Sequence, residues 1–84
     1  MIQGLRVLDC SKCQNLEHIE IIQGLEELYC ADCPKLKHLP QIQGLRYLNC
    51  ARSPIGFIPM INTLVYIFCE ECRMLTHIPD ALIN

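Results

Sequence analysis

Eighty-four residues with a net charge of −2 and 19% charged side chains provide no basic field for nucleic acid or an anionic membrane surface. The chain has room for one domain, and a globule this short buries only about 60% of its unfolded surface, too little for a comfortable independent core. No apolar run approaches the roughly 18 residues of a membrane span and no basic-then-apolar leader is present, so neither a membrane nor a secretory setting is expected.

The seven cysteines reach the density at which a short secreted chain, at roughly 8–10% cysteine, reads as a disulfide scaffold. Their number is odd and no secretory segment accompanies them, which favours reduced thiols in a cytoplasmic, reducing compartment, with a virus particle as the alternative setting.

In chain order the sequence is one unit written four times over residues 1–84. Residues 2–21, IQGLRVLDCSKCQNLEHIEI, return as 22–41, IQGLEELYCADCPKLKHLPQ, as 42–60, IQGLRYLNCARSPIGFIPM, and as 61–80, INTLVYIFCEECRMLTHIPD; residues 81–84 begin a further unit or form a tail. The third unit is one residue short, which places a deletion between Ser53 and Ile58. Self-similarity near a period of twenty decides the architecture before any local motif does.

Each unit opens on Ile2, Ile22, Ile42 or Ile61, followed by Gly4, Gly24, Gly44 or Thr63. Because threonine fills the fourth of these positions, the glycines are read as serving close packing between units rather than a positive φ. Next, stretches such as Val7-Leu8-Asp9-Cys10 and Tyr66-Ile67-Phe68-Cys69 alternate with the period of two that marks a strand buried on one face. Equivalent strands in successive units run parallel about 4.8 Å apart, so each side chain stands beside its counterpart.

After the strand, Leu16, Leu36, Ile55 and Leu75 and then Ile19, Leu39, Ile58 and Ile78 continue the apolar columns, and Pro40, Pro59 and Pro79 close three units. A return path of about ten residues ending on proline leaves no room for an α-helix, so extended or short 3₁₀ backbone is expected there.

The pattern L-x-x-L-x-C-x-x-C-x-x-L-x-x-I-P resembles the leucine-rich repeat, whose signature L-x-x-L-x-L-x-x-N/C-x-L is met in all four units. Cys10, Cys30, Cys50 and Cys69 take the third leucine position, and Cys13, Cys33, Ser53 and Cys72 the Asn/Cys position. The short cysteine-containing units are similar to those of leucine-rich proteins of giant DNA viruses and of plant intracellular immune receptors. The resemblance implies an α/β-type, mostly β, right-handed solenoid of four coils, with a parallel sheet on the concave side and extended or 3₁₀ segments on the convex side. It also implies that the Asn/Cys position points inward and bonds the backbone of the turn after the strand.

Cys10-x-x-Cys13 and Cys30-x-x-Cys33 also match the spacing of a four-cysteine zinc site. Against zinc stands Ser53, which keeps a small hydrogen-bonding side chain in the same column but is a poor zinc ligand. The eight ladder residues are therefore read as structural, with no metal and no cofactor, and a zinc-binding domain is the alternative. His18, His38 and His77 share an outer column with Phe57, so that column reads as exposed filler. No nucleophile, base and orienting acid stand apart from the repeating pattern, and an enzyme is not expected.

Two columns of strand residues face solvent: Val7, Glu27, Tyr47 and Tyr66 in one, Asp9, Tyr29, Asn49 and Phe68 in the other. Four of the five aromatic residues fall in them. Tyrosine presents a large rigid area with a polar tip, which suits a binding face. Charges beside these columns change sign from unit to unit: Arg6 and Lys12, Glu26 and Asp32, Arg46 and Arg52, Glu70 and Glu71.

The expected function is binding of a protein partner through Tyr29, Tyr47, Tyr66 and Phe68, with Asp9, Glu27 and Asn49 around them. The competing role is structural, as a component of a larger assembly such as a virus particle. End-to-end association of copies or assembly neighbours would then cover the apolar ends.

Overall fold

The computed structural model describes residues 4–76. Within them lie four short strands, β1 (Val7–Asp9), β2 (Glu27–Tyr29), β3 (Tyr47–Asn49) and β4 (Tyr66–Phe68), joined as one parallel sheet in chain order. No helix occurs among the described residues, and so none is long and apolar enough to cross a membrane. The expectation of a mostly β chain with parallel strands is met; Ile2, His77, Ile78, Pro79 and residues 81–84 lie outside the described residues.

The register follows the sequence period. Leu8, Leu28, Leu48 and Ile67 are aligned across the sheet, flanked by Val7, Glu27, Tyr47 and Tyr66 on one side and Asp9, Tyr29, Asn49 and Phe68 on the other. Alternation turns the aligned aliphatic row inward, where Leu28 and Leu48 are each 1% exposed, and turns the flanking rows to solvent. Pairing extends past the strands: the Glu26 and Glu27 N–H groups donate to the Arg6 carbonyl, and the Cys10 and Lys12 N–H groups donate to the Tyr29 and Ala31 carbonyls. The same bonds recur between the second and third segments and between the third and fourth.

Leu25, Leu28, Cys30, Cys33 and Leu36 form the core with Ile42, Leu45, Leu48, Cys50, Ile55, Ile58 and Ile61. Their counterparts in the outer segments, among them Leu5, Leu8, Leu64 and Ile67, are only partly buried, because among the described residues each outer segment has a neighbour on one side.

The return path consists of isolated turns and extended chain. In three segments the turn after the cysteine pair closes with an N–H from three residues on, Leu16 to Cys13, Leu36 to Cys33 and Leu75 to Cys72. In the third segment the bond is Ile55 N–H to the Ser53 carbonyl at 2.8 Å, a turn one residue tighter. The deletion is therefore absorbed between Ser53 and Ile55, leaving Ile55 and Ile58 buried in the same columns as Leu36 and Leu39.

The reading of the glycines needs correction. Gly4, Gly24 and Gly44 have φ of +79°, +86° and +94°, and a Cβ added at any of them would meet no heavy atom within 4 Å. Backbone conformation selects glycine there, not close packing. Thr63 does not adopt a positive φ, and its Oγ1 instead donates to the Leu45 carbonyl at 2.7 Å.

Four other residues take the left-handed conformation without being glycine: Lys12, Asp32, Arg52 and Glu71, with φ between 54° and 64°. An L-residue pays about 1–2 kcal/mol there. Three of these four turns are held by the next segment, since Lys12, Asp32 and Arg52 donate their N–H groups to the Ala31, Ala51 and Glu70 carbonyls at 2.8–2.9 Å.

Candidate functional site

On the solvent side of the sheet, register and alternation bring the four expected aromatic residues into one cluster. Tyr47 is its centre, with ring centroids 5.2 Å from Tyr29, 5.7 Å from Tyr66 and 5.4 Å from Phe68, all tilted at 37–47°. Tyr66 is its directly paired neighbour, while Tyr29 and Phe68 reach it diagonally across the strands. Tilted, offset rings within 4.5–7 Å attract one another and hold the face in shape. Tyr66 is 58% exposed and Phe68 38%, so the cluster is open to solvent.

The polar residues around it do more local work than the sequence suggests. Glu27 accepts a hydrogen bond from the Tyr29 hydroxyl at 2.7 Å, which ties that ring down. The carboxylate also pushes the phenol pKa up to about 12, so Tyr29 remains a donor. Asp9 and Asn49 each accept a backbone N–H two residues on, from Ser11 at 3.0 Å and Ala51 at 3.2 Å, shaping the turn that leaves the strand. Beside the cluster runs an open groove lined by Glu26, Glu27, Arg46, Tyr47, Val65 and Tyr66. Val65, 54% exposed, extends the apolar surface and is not signalled by the strand period, which assigns it no face.

The charges pair between segments as their alternation suggests. Arg6 meets Glu26 through two bonds of 3.0 and 3.1 Å, and Arg52 meets Asp32 through two of 2.8 and 3.0 Å. Both carboxyls are held below the ordinary carboxylate range by the guanidinium hydrogen bonds. The left-handed backbone at Asp32 and Arg52 is the part that sequence reasoning missed; its only signal is a charged residue recurring just before the second cysteine position.

Beneath the face, the Asn/Cys column forms a ladder. The Cys33 thiol donates to the Cys10 carbonyl at 3.2 Å, the Ser53 hydroxyl to the Cys30 carbonyl at 2.9 Å, and the Cys72 thiol to the Cys50 carbonyl at 3.0 Å. Each side chain thus bonds the strand end of the preceding segment, and the Cys33 thiol also reaches the Ala31 carbonyl of its own turn at 3.6 Å. Ser53 also accepts the Cys33 N–H at 3.0 Å. All seven cysteines are free, and among the described residues no three His, Cys, Asp or Glu side chains are grouped as a bound metal ion requires. His18, His38 and Phe57 are exposed on the return path.

The chain matches no protein-family model, no curated protein and no solved structure.

Burial raises the thiol pKa values, to about 11 at Cys10 from an ordinary 9.0, and upward also at Cys30, Cys50 and Cys69. In the unfolded chain these thiols ionise at the ordinary value, so their contribution to stability is complete below it and is lost as pH rises through the folded values. Under reducing conditions the urea midpoint is expected to fall between pH 9.0 and about 11, with a shallower decline in a Cys30→Ala, Cys50→Ala variant. A midpoint flat across that window contradicts the buried-thiol account.

Proposed function

We propose that this chain is a leucine-rich repeat solenoid, right-handed like nearly all parallel crossovers, whose role is to bind a protein partner through the solvent face of its sheet. What supports the solenoid reading is the in-register parallel sheet, with equivalent residues aligned at offsets of twenty, twenty and nineteen. The observation that carries the binding reading is the aromatic cluster centred on Tyr47. Exposed aromatic rings on strands are tolerated singly, but four packed against one another form a rigid apolar platform. Such platforms anchor interfaces because little side-chain entropy is lost on contact. Glu27, Asp9 and Asn49 provide a polar surround, and the net charge of −2 suits a protein better than a polyanion.

Seven unpaired cysteines favour a reducing compartment. A structural role in an assembly, a virus particle among the settings, is favoured by the partly exposed aliphatic rows of the first and last segments.

The test is capture of partners from a displayed peptide and protein library by the parent chain and by a variant with Tyr29, Tyr47, Tyr66 and Phe68 all changed to Ala, with circular dichroism to verify folding. Loss of at least about tenfold in capture is expected, since anchor residues contribute about 2 kcal/mol or more each. Equal capture by a folded variant would refute the aromatic face as the binding surface.

A further inference from the structure

The first and last segments present faces that complement each other. Between adjacent segments the thiol or hydroxyl of the later one bonds the strand-end carbonyl of the earlier: Cys33 to Cys10, Ser53 to Cys30, Cys72 to Cys50. Among the described residues this series leaves over one donor and one acceptor. The donor is the Cys13 thiol, exposed on the first segment, and the acceptor is the Cys69 carbonyl on the last, which among the described residues receives the Cys72 N–H.

The left-handed column behaves likewise. Lys12, Asp32, Arg52 and Glu71 alternate in sign, Asp32 and Arg52 are joined by two bonds, and the column begins on a cation and ends on an anion. The backbone series runs the same way. Cys50 and Arg52 donate to the Phe68 and Glu70 carbonyls of the next segment, so the equivalent donors Cys69 and Glu71 match the equivalent acceptors Asp9 and Ser11. Leu5, Leu8, Cys10 and Leu16 at one end and Leu64, Ile67, Cys69 and Leu75 at the other remain partly exposed, where their inner counterparts are buried.

We infer that this 84-residue chain associates head to tail with further copies of itself, β4 of one molecule pairing in parallel with β1 of the next. Tyr66 then lies beside Val7 and Phe68 beside Asp9, Glu71 meets Lys12, and the Cys13 thiol finds the Cys69 carbonyl. The two contacting surfaces differ, so the contact does not close on itself in a twofold pair, and molecules add beyond two into a ring or an open rod. A second molecule is the occupant that charge favours: it offers a cation to the anionic end and an anion to the cationic end in the register the chain already uses internally. The junction borders the aromatic face at Tyr66 and Phe68, but Lys12 and Glu71 lie outside the aromatic cluster, so changing them tests the contact without altering the rings.

Sedimentation velocity over a wide concentration range, in reducing buffer at low salt, tests it. The mass-average is expected to rise past that of a dimer. Lys12→Glu and Glu71→Lys should each weaken association by about tenfold, because like charges then face across every junction. An equimolar mixture of the two variants should recover it, since every mixed junction again joins opposite charges, and recovery also demonstrates that both variants fold. A monomer at all concentrations, a mass that stops at the dimer, variants that associate like the parent, or a mixture that fails to recover would each overturn the inference.

Discussion

Leu48→Ala is expected to lower the free energy of unfolding by about 2–5 kcal/mol, the range for deleting a fully buried leucine without collapse of the surrounding cavity. Leu48 is 1% exposed and stands between Leu28 and Ile67 in the aligned row. Backbone bonds on both sides fix the spacing of its neighbours, so they cannot move in to fill the void. The same change at Leu8, which is partly exposed and has a neighbouring segment on one side only, should cost clearly less. Urea unfolding of the two variants and the parent gives the comparison; equal losses at the two positions would mean that burial does not increase toward the middle of the sheet as described.

Ser53→Ala should cost about 2–4 kcal/mol, far more than a surface serine, because two buried backbone groups lose their partner at once, at about 1–3 kcal/mol each. The hydroxyl accepts from the Cys33 N–H and donates to the Cys30 carbonyl, and Ser53 is 2% exposed. Ser53→Cys is the informative companion. Cysteine occupies this position in the other segments and donates to the same type of carbonyl, but sulfur is a poor acceptor for the Cys33 N–H. The cysteine variant should therefore fall between the parent and the alanine variant. If alanine and cysteine destabilise equally, the donated bond to Cys30 contributes nothing and the lost acceptor for the Cys33 N–H accounts for the whole effect.

Much of the fold was legible because one physical constraint, burial of one face of a strand, writes itself into sequence at a period of two, and the recurrence near twenty aligns those strands. Leu8, Leu28, Leu48 and Ile67 could be placed in one row, and the aromatic residues in two columns, from the pattern alone. Contact between the rings could not, since Tyr29 and Phe68 reach Tyr47 on the diagonal and the pattern does not specify the lean of a side chain.

Backbone conformation was the least legible part. Threonine at position 63 argued against a positive φ at Gly4, Gly24 and Gly44, yet the segments solve the same bend in two ways, one through glycine and one through a hydroxyl bonded to a carbonyl. The left-handed turns at Lys12, Asp32 and Arg52 were not legible from the residues themselves, because the bonds that hold them go to the adjacent segment and not within the turn.

The ladder through Cys33, Ser53 and Cys72 joins each segment only to the one before it. Mechanical load applied at the two termini would therefore meet a single interface at a time, and the molecule would peel from its ends instead of rupturing as a whole. Amide protons of β2 and β3, flanked on both sides, would be the last to exchange with solvent, and those of β1 and β4 the first.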